Sequence, residues 1–136
     1  MVRKVQEITA EETWPIRQIV MWPNKPLNFI KLNSDFEGRH FGLFLDETLV
    51  SVISLFTENS IAQFRKFATL QEYQGQGIGS QLLTEIMQVA EKERVLKIWC
   101  NARKEKTNYY AKFGLKETAI TFSKEGFDYK VMEKIL

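Results

Sequence analysis

The 136-residue sequence has 44% hydrophobic and 26% charged residues, which is typical of one globular domain, and the cytoplasm is its expected compartment. Its formal net charge of only +2 argues against a nucleic-acid partner, and no apolar run approaches the roughly 20 residues of a membrane span, so no membrane partner is expected either. The one cysteine and the one histidine exclude an internal disulfide and make a metal site unexpected.

Hydrophobic periodicity predicts the element order β-α-β-β-β-α-β-α-β-β. One helix ends near Met21, a second begins near Gly79, and a third covers Lys104–Phe113, where Gly114 stops it. This order predicts an α/β fold of the α+β type, in which a mixed sheet carries helices on its faces. The predicted strands cover residues 2–8, 40–45, 49–55, 63–70, 96–100, 118–123 and 129–135.

The start of the first helix has two alternatives. Thr9 and Glu12 have the spacing of a capping box, but this start would leave Pro15 inside the helix, where it removes a hydrogen bond. With Thr13 as N-cap, Pro15 falls in the first turn, where proline is tolerated. A polar, irregular stretch is predicted from Trp22 to Arg39.

A glycine-rich loop separates the predicted strand at residues 63–70 from the second helix. Its glycines allow positive φ angles and a close approach of the backbone to a ligand. The helix that follows directs its unpaired N–H groups, and the positive end of its dipole, at the same point. Strand, loop and helix therefore predict a site for phosphate or pyrophosphate. The loop consists of Gln74, Gly75, Gln76, Gly77, Ile78, Gly79 and Ser80.

The two common nucleotide-binding loops do not fit this segment. A P-loop requires a Lys-Ser/Thr pair after the last glycine, whereas Ser80-Gln81 stands here. A dinucleotide-binding loop requires glycine or alanine at position 80 and an acidic residue near the end of the next strand, which reads Cys100-Asn101-Ala102-Arg103. A nucleotide-binding domain of either type is therefore disfavoured.

Two motifs in a fixed order point to a family. The loop matches Gln-x-x-Gly-x-Gly at Gln74–Gly79, and Tyr109–Leu115 resembles a Phe-Tyr-x-x-x-Gly-Phe segment. Together they resemble the GNAT family of N-acetyltransferases, and Trp99–Arg103 looks like a segment of an uncharacterised bacterial-type subgroup. The resemblance implies a GNAT acyl-CoA N-acyltransferase fold, with a mostly antiparallel sheet splayed at the cofactor site. It also implies one N-acetyltransferase domain over residues 1–136.

The resemblance implies direct transfer of acetyl from acetyl-CoA to a primary amine of a small molecule or a peptide. A non-catalytic acyl-CoA-binding or sensor module on the same fold is the alternative. Acetyl-CoA and an amine acceptor are the expected partners, and a homodimer is possible.

The resemblance also assigns residues to the donor. Backbone N–H groups of Gly75–Ser80 would hold the pyrophosphate of acetyl-CoA, and Gln74 would brace the loop. Phe67, Ala68 and Thr69 would pair through their backbones with the pantetheine arm, beside a bulge that splays the strand. A backbone N–H at this point would polarise the thioester carbonyl.

Catalytic groups follow from the same comparison. Tyr110 aligns with the tyrosine beside the CoA sulfur, and a phenol protonated at neutral pH can give its proton to the departing thiolate. Tyr109 fits the role of a packed aromatic better. A base must also deprotonate the amine: His40 is the first candidate, and Glu72 and Glu58 are weaker ones.

Four further residues have open interpretations. Asn101 would contact CoA, or it is a turn-forming asparagine. Arg103 stands where many GNAT proteins have an asparagine that contacts the cofactor. Arg17 could bind a carboxylate of the acceptor, although an arginine on a helix surface is the simpler account. Cys100 has no histidine near it in sequence and is expected to be a core thiol.

Overall fold

The computed structural model describes residues 1–136, and its seven strands form one sheet. The strands are β1 (Arg3–Ile8), β2 (Arg39–Leu45), β3 (Thr48–Glu58), β4 (Ile61–Thr69), β5 (Lys97–Arg103), β6 (Lys116–Lys124) and β7 (Phe127–Ile135). Their order is β1-β2-β3-β4-β5-β7-β6, and every neighbouring pair is antiparallel except β4 and β5. The predicted α/β fold with a mixed sheet is confirmed.

The chain forms four α-helices. They are α1 (Ala10–Met21), α2 (Leu27–Ile30), α3 (Ile78–Lys92) and α4 (Thr107–Ala111). On one face α1 packs against β3 and β4 through Ile16, and on the other α3 buries its apolar stripe against a core of 20 buried residues. Helices therefore lie on both faces, as predicted, and α2 is an addition to the stretch predicted to be irregular. None of these helices combines the length and apolar character that a membrane span requires.

The first helix begins at the capping box. The Thr9 hydroxyl accepts a hydrogen bond from the Glu12 N–H at 3.2 Å, and the Glu12 carboxylate accepts one from the Thr9 N–H at 2.9 Å. The alternative start at Thr13 is wrong, since that side chain is buried inside the helix and donates to the Ala10 carbonyl at 2.6 Å. Pro15 has no N–H group, so one hydrogen bond inside the helix is not made. The capping box satisfies two N–H groups at the start of the same helix.

The sheet opens between β4 and β5. These strands pair only over residues 61–63 and 97–99, and beyond this point neither bonds to the other. Opposite the gap, the β3–β4 register shifts between Val52 and Ser54, and Lys66 takes a φ of +55°. A bulge of this kind bends a strand away from its neighbour. The predicted splayed sheet is confirmed, and the opening faces the glycine loop.

Candidate active site

A cleft of about 800 Å³ occupies the opening between β4 and β5. The second half of β4, the glycine loop, the start of α3 and α4 line it. The end of α1, the α2 region and the β6–β7 hairpin line it as well. A concave site of this size is within the range of small-molecule and cofactor pockets.

The glycine loop presents a row of free backbone donors. Gly75 and Gly77 both take a φ of +78°, and the N–H groups of residues 75–80 have no acceptor within the chain. Gln74 Nε2 donates to the Thr69 carbonyl at 2.9 Å and ties the loop to the end of β4. Free donors at a helix N-terminus are suited to an anion. Gln76 alone of the loop residues does not line the cleft, and its carbonyl accepts from Arg3 Nη2 at 2.8 Å.

The three predicted residues on β4 line the cleft beside this loop. Phe67 and Thr69 pack against Gly79, where an added Cβ would lie 3.1 Å from the Phe67 ring and 3.2 Å from Thr69 Oγ1. Ala68 is buried against Ile16 of α1. On the edge that faces β5, these residues have no strand partner. An extended ligand therefore has an open strand edge available to it.

The hydroxyl groups of two neighbouring tyrosines have different surroundings. The Tyr109 hydroxyl lies 3.0 Å from Ser80 Oγ, whereas the Tyr110 hydroxyl has no protein partner and lines the cleft. The Tyr110 ring contacts the rings of Phe64 and Tyr109, with centroids 5.7 and 5.3 Å away. Burial, with a smaller contribution from Cys100, raises the pKa of the Tyr110 phenol. The phenol is therefore protonated at neutral pH, and its role as acid stays a prediction.

His40 lies apart from the cleft, buried at 3% exposure. Its Nε2 is 2.7 Å from the Asp35 carbonyl, which can only accept, so Nε2 carries the hydrogen and Nδ1 accepts from the Ser54 hydroxyl at 2.7 Å. Both ring nitrogens are thus engaged inside the protein. This placement favours a structural role for His40 over the predicted role of general base. Glu72 and Glu58 are exposed and do not line the cleft either.

Arg17 belongs to the same buried network, and both interpretations of it from sequence are wrong. The side chain is fully buried, and its guanidinium donates to both carboxylate oxygens of Asp35, at 2.9 and 3.0 Å, and to Ser54 Oγ at 2.9 Å. It is neither a surface arginine nor free to bind an acceptor. No sequence motif indicated this cluster, because its members lie on α1, β2, β3 and the segment before β2.

Asn101 and Arg103 line the cleft from β5. Asn101 pairs in register with Val131, so it is a strand residue and the turn-forming interpretation is wrong. Its predicted contact with CoA stays a prediction. The Arg103 guanidinium lies 4.0 Å from the ring centroid of Phe127, a cation–π contact with the β6–β7 hairpin.

Charged residues of the cleft include several that the sequence did not indicate. Arg65, Lys66 and Lys124 line it, and Glu125 is its one carboxylate. Burial, together with the charges of Arg65, Arg17 and Lys124, lowers the pKa of Lys66 to about 8. The sequence could have indicated Lys66, because this residue directly precedes the segment predicted to pair with the pantetheine arm.

The Cys100 thiol is expected to be unreactive in the folded protein. It is 3% exposed, and burial raises its pKa to about 12, so the thiolate that reacts is almost absent at pH 8. A disulfide reagent such as dithiobis(nitrobenzoate) should label native protein at least about 100-fold more slowly than protein in urea. Equal rates in the two states would show that this thiol is accessible.

Comparison with known proteins gives the family. A family model described as an acetyltransferase (GNAT) domain matches residues 21–136. The chain is 36% identical over 143 residues to the uncharacterized N-acetyltransferase YitI of Bacillus subtilis (strain 168), covering 98% of this chain and 96% of that protein.

Solved structures share the fold. A candidate N-acetyltransferase from Lactobacillus plantarum superposes with a TM-score of 0.88 at 18% identity, over 100% of this chain and 99% of the other. A GNAT family acetyltransferase from Elizabethkingia anophelis with acetyl-CoA bound gives a TM-score of 0.77 at 17% identity, over 98% of each chain. Since the family model and YitI both cover most of the sequence, the chain belongs to the GNAT family of acetyltransferases.

Proposed function

We propose that this acyltransferase moves an acetyl group from acetyl-CoA directly to a primary amine of a small molecule or a peptide. One observation carries the proposal. The free N–H groups of residues 75 and 77–80, the open edge of β4 and the free Tyr110 hydroxyl all line the same cleft. These are the parts that a pyrophosphate, an extended thiol arm and a leaving sulfur would require.

The donor half of the cleft is suited to CoA. In this proposal the N–H groups at the start of α3 bind the pyrophosphate, and Gln74 keeps the loop in place through its bond to the Thr69 carbonyl. The pantetheine arm then adds to β4 along Phe67, Ala68 and Thr69, where the sheet lacks a strand. The related fold with acetyl-CoA bound supports this choice of donor.

The chemistry proceeds through a tetrahedral intermediate without an acyl-enzyme. The neutral amine attacks the thioester carbonyl carbon, whose oxygen accepts a hydrogen bond from the β4 backbone. The C–N bond forms, the C–S bond breaks, and the Tyr110 phenol protonates the thiolate. The nitrogen of the intermediate loses its extra proton to water, since His40 is engaged elsewhere, and water returns a proton to the Tyr110 phenolate. The products are the acetylated amine and CoA.

A matched pair of glycine substitutions tests the donor site. Gly77 and Gly126 have φ angles of +78° and +82°, and an added Cβ meets nothing within 4 Å at either position, so alanine strains both backbones alike. Only Gly77 is in the proposed pyrophosphate loop. Gly77→Ala should therefore weaken acetyl-CoA binding about 10-fold or more, and Gly126→Ala should leave it unchanged. Calorimetry measures both affinities, and equal effects would contradict the donor site.

Activity is tested separately, by CoA release from acetyl-CoA over a panel of amines, amino acids, polyamines and peptides. Turnover with at least one amine supports the enzyme. Tight binding of acetyl-CoA without transfer to any amine would instead support a sensor module. Stabilisation of the fold by ATP or NAD, but not by CoA, would contradict both.

A further inference from the structure

The cleft carries an excess of unpaired positive charge. Five cationic side chains line it, against the single carboxylate of Glu125. None of the five forms an ion pair with a carboxylate of the protein. The five are Arg65, Lys66, Arg103, Lys106 and Lys124. Unpaired like charges around one cleft repel one another, so they favour an anionic ligand.

Three of these cations, two on β4 and one on β6, lie outside the pyrophosphate loop and α3. Phe67, one residue after Lys66, directs its ring at Gly79 and so faces α3. Arg65 faces the other way: its guanidinium lies 6.0 Å from the Phe56 ring, which in turn lies 6.1 Å from the His40 ring in the buried network with Arg17 of α1. Burial, followed by the charges of Arg65, Arg17 and Lys124, lowers the pKa of Lys66.

The backbone conformation at Lys66 moves its side chain away from the sheet face that strand alternation would give it. Its φ of +55° lies in the left-handed region, which lysine rarely adopts, and it sits at the β3–β4 register shift. Bulges of this kind redirect a side chain next to a binding site. The redirected side chain lines the cleft.

From these positions we propose that the acceptor amine also carries an anionic group, such as a carboxylate, and that Arg65, Lys66 and Lys124 bind this group. The inference rests on the proposed function, because it describes the second substrate of that reaction. A purely cationic acceptor, such as a polyamine, would meet repulsion in this half of the cleft. An acceptor with a carboxylate would offset that charge and be held with its amine near the thioester.

Burial in the cleft, apart from the cations, would help the chemistry. Lys66 shows what the cleft does to an amine, since burial and neighbouring cations lower its pKa to about 8. An acceptor amine in these surroundings would lose its proton more readily than in water. The neutral nucleophile would then form without a dedicated base. This agrees with the lining of the cleft, in which Glu125 is the one carboxylate and from which His40 is absent.

Matched acceptors test the inference. Glutamate and glutamine differ in one carboxylate, and glycine and glycinamide in another. Because the amide makes the glycinamide amine less basic, kcat/KM is compared per neutral amine. We expect the carboxylate member of at least one pair to show a kcat/KM about 10-fold higher or more. Lys66→Gln should remove most of this preference by raising KM for the carboxylate, with little change for the amide.

Two variants make the result specific. Arg94→Gln is the control, because Arg94 is an exposed, unpaired cation with a φ of +59° outside the cleft, and it should alter neither acceptor. Lys66→Gly accommodates the positive φ and should behave like Lys66→Gln, which separates loss of charge from loss of folding.

Three outcomes would overturn the inference. Amides that react as well as carboxylates would remove the need for an anion. An equal loss for both acceptors in Lys66→Gln would give this residue a general role. A weaker affinity for acetyl-CoA in Lys66→Gln, equal to its effect on the acceptor KM, would assign these cations to the phosphates of the donor. The proposed function fails differently, by an absence of transfer to every amine.

Discussion

Replacing Tyr110 with phenylalanine should lower kcat for acetyl transfer by about 100-fold or more and change the affinity for acetyl-CoA by no more than a few-fold. The substitution removes only the hydroxyl, which has no protein partner, and it keeps the ring contacts with Phe64 and Tyr109. Steady-state kinetics and calorimetry on the same preparation separate the two effects. The selective loss of turnover would identify the phenol as a group that acts in the transition state.

Tyr109→Phe is the matched control. It removes a hydroxyl that already bonds to Ser80 Oγ at 3.0 Å, so we expect a small change in donor affinity and little change in kcat. The pH profile adds a second criterion. Because burial raises the pKa of Tyr110, kcat should show no descending limb from this group below a pH of about 10. A normal kcat in Tyr110→Phe would disprove the acid role.

Replacing Asp35 with alanine should lower the free energy of unfolding by about 3–5 kcal/mol. The carboxylate accepts from Arg17, from the Leu32 N–H at 2.9 Å and from Trp14 Nε1 at 3.0 Å, so its removal leaves a buried guanidinium without its counter-charge. Urea unfolding measures the loss. Glu117→Ala, which breaks the exposed ion pair with Lys130, should cost less than about 1 kcal/mol.

The same carboxylate should make stability depend on pH in the acid range. Burial alone would raise the pKa of Asp35, but the hydrogen bonds from Arg17, Leu32 and Trp14 outweigh it and lower the pKa below 3.8. The stabilisation is therefore complete above the unfolded value of 3.8 and is lost as the pH falls through the lower, folded value. The difference between native protein and Asp35→Ala should shrink on acidification, and a constant difference would contradict this account.

Local sequence patterns were enough to predict the parts of the site that depend on neighbouring residues. The glycines of the loop, the apolar stripe of α3 and the Tyr109–Tyr110 pair are each encoded within a few positions, and the structure has the predicted loop and helix there. The opening of the sheet between β4 and β5 was predicted from the family resemblance. The alternatives for the start of α1 needed the structure, since a capping box and an internal proline make opposing local predictions.

Long-range partners explain what sequence could not predict. Arg17 bonds to Asp35 and Ser54, which are 18 and 37 residues away, and His40 bonds to Ser54, 14 residues away. No spacing rule relates such positions, so the sequence does not distinguish an arginine within a buried network from one that is free to bind a ligand. Lys66 was missed for another reason: strand alternation assigns a side chain to a face, and a bulge changes that assignment.

The short parallel pairing of β4 with β5 also determines how the two parts of the sheet are joined. Three residue pairs join a four-stranded plate, β1 to β4, to a three-stranded plate formed by β5, β7 and β6. Few backbone hydrogen bonds join the two plates, and the core on the α3 face, which includes residues of both, holds them together. A molecule extended along the free edge of β4 would act as a missing strand between them. In that sense the ligand is a structural part of the sheet, and binding it would complete the architecture that the polypeptide leaves open.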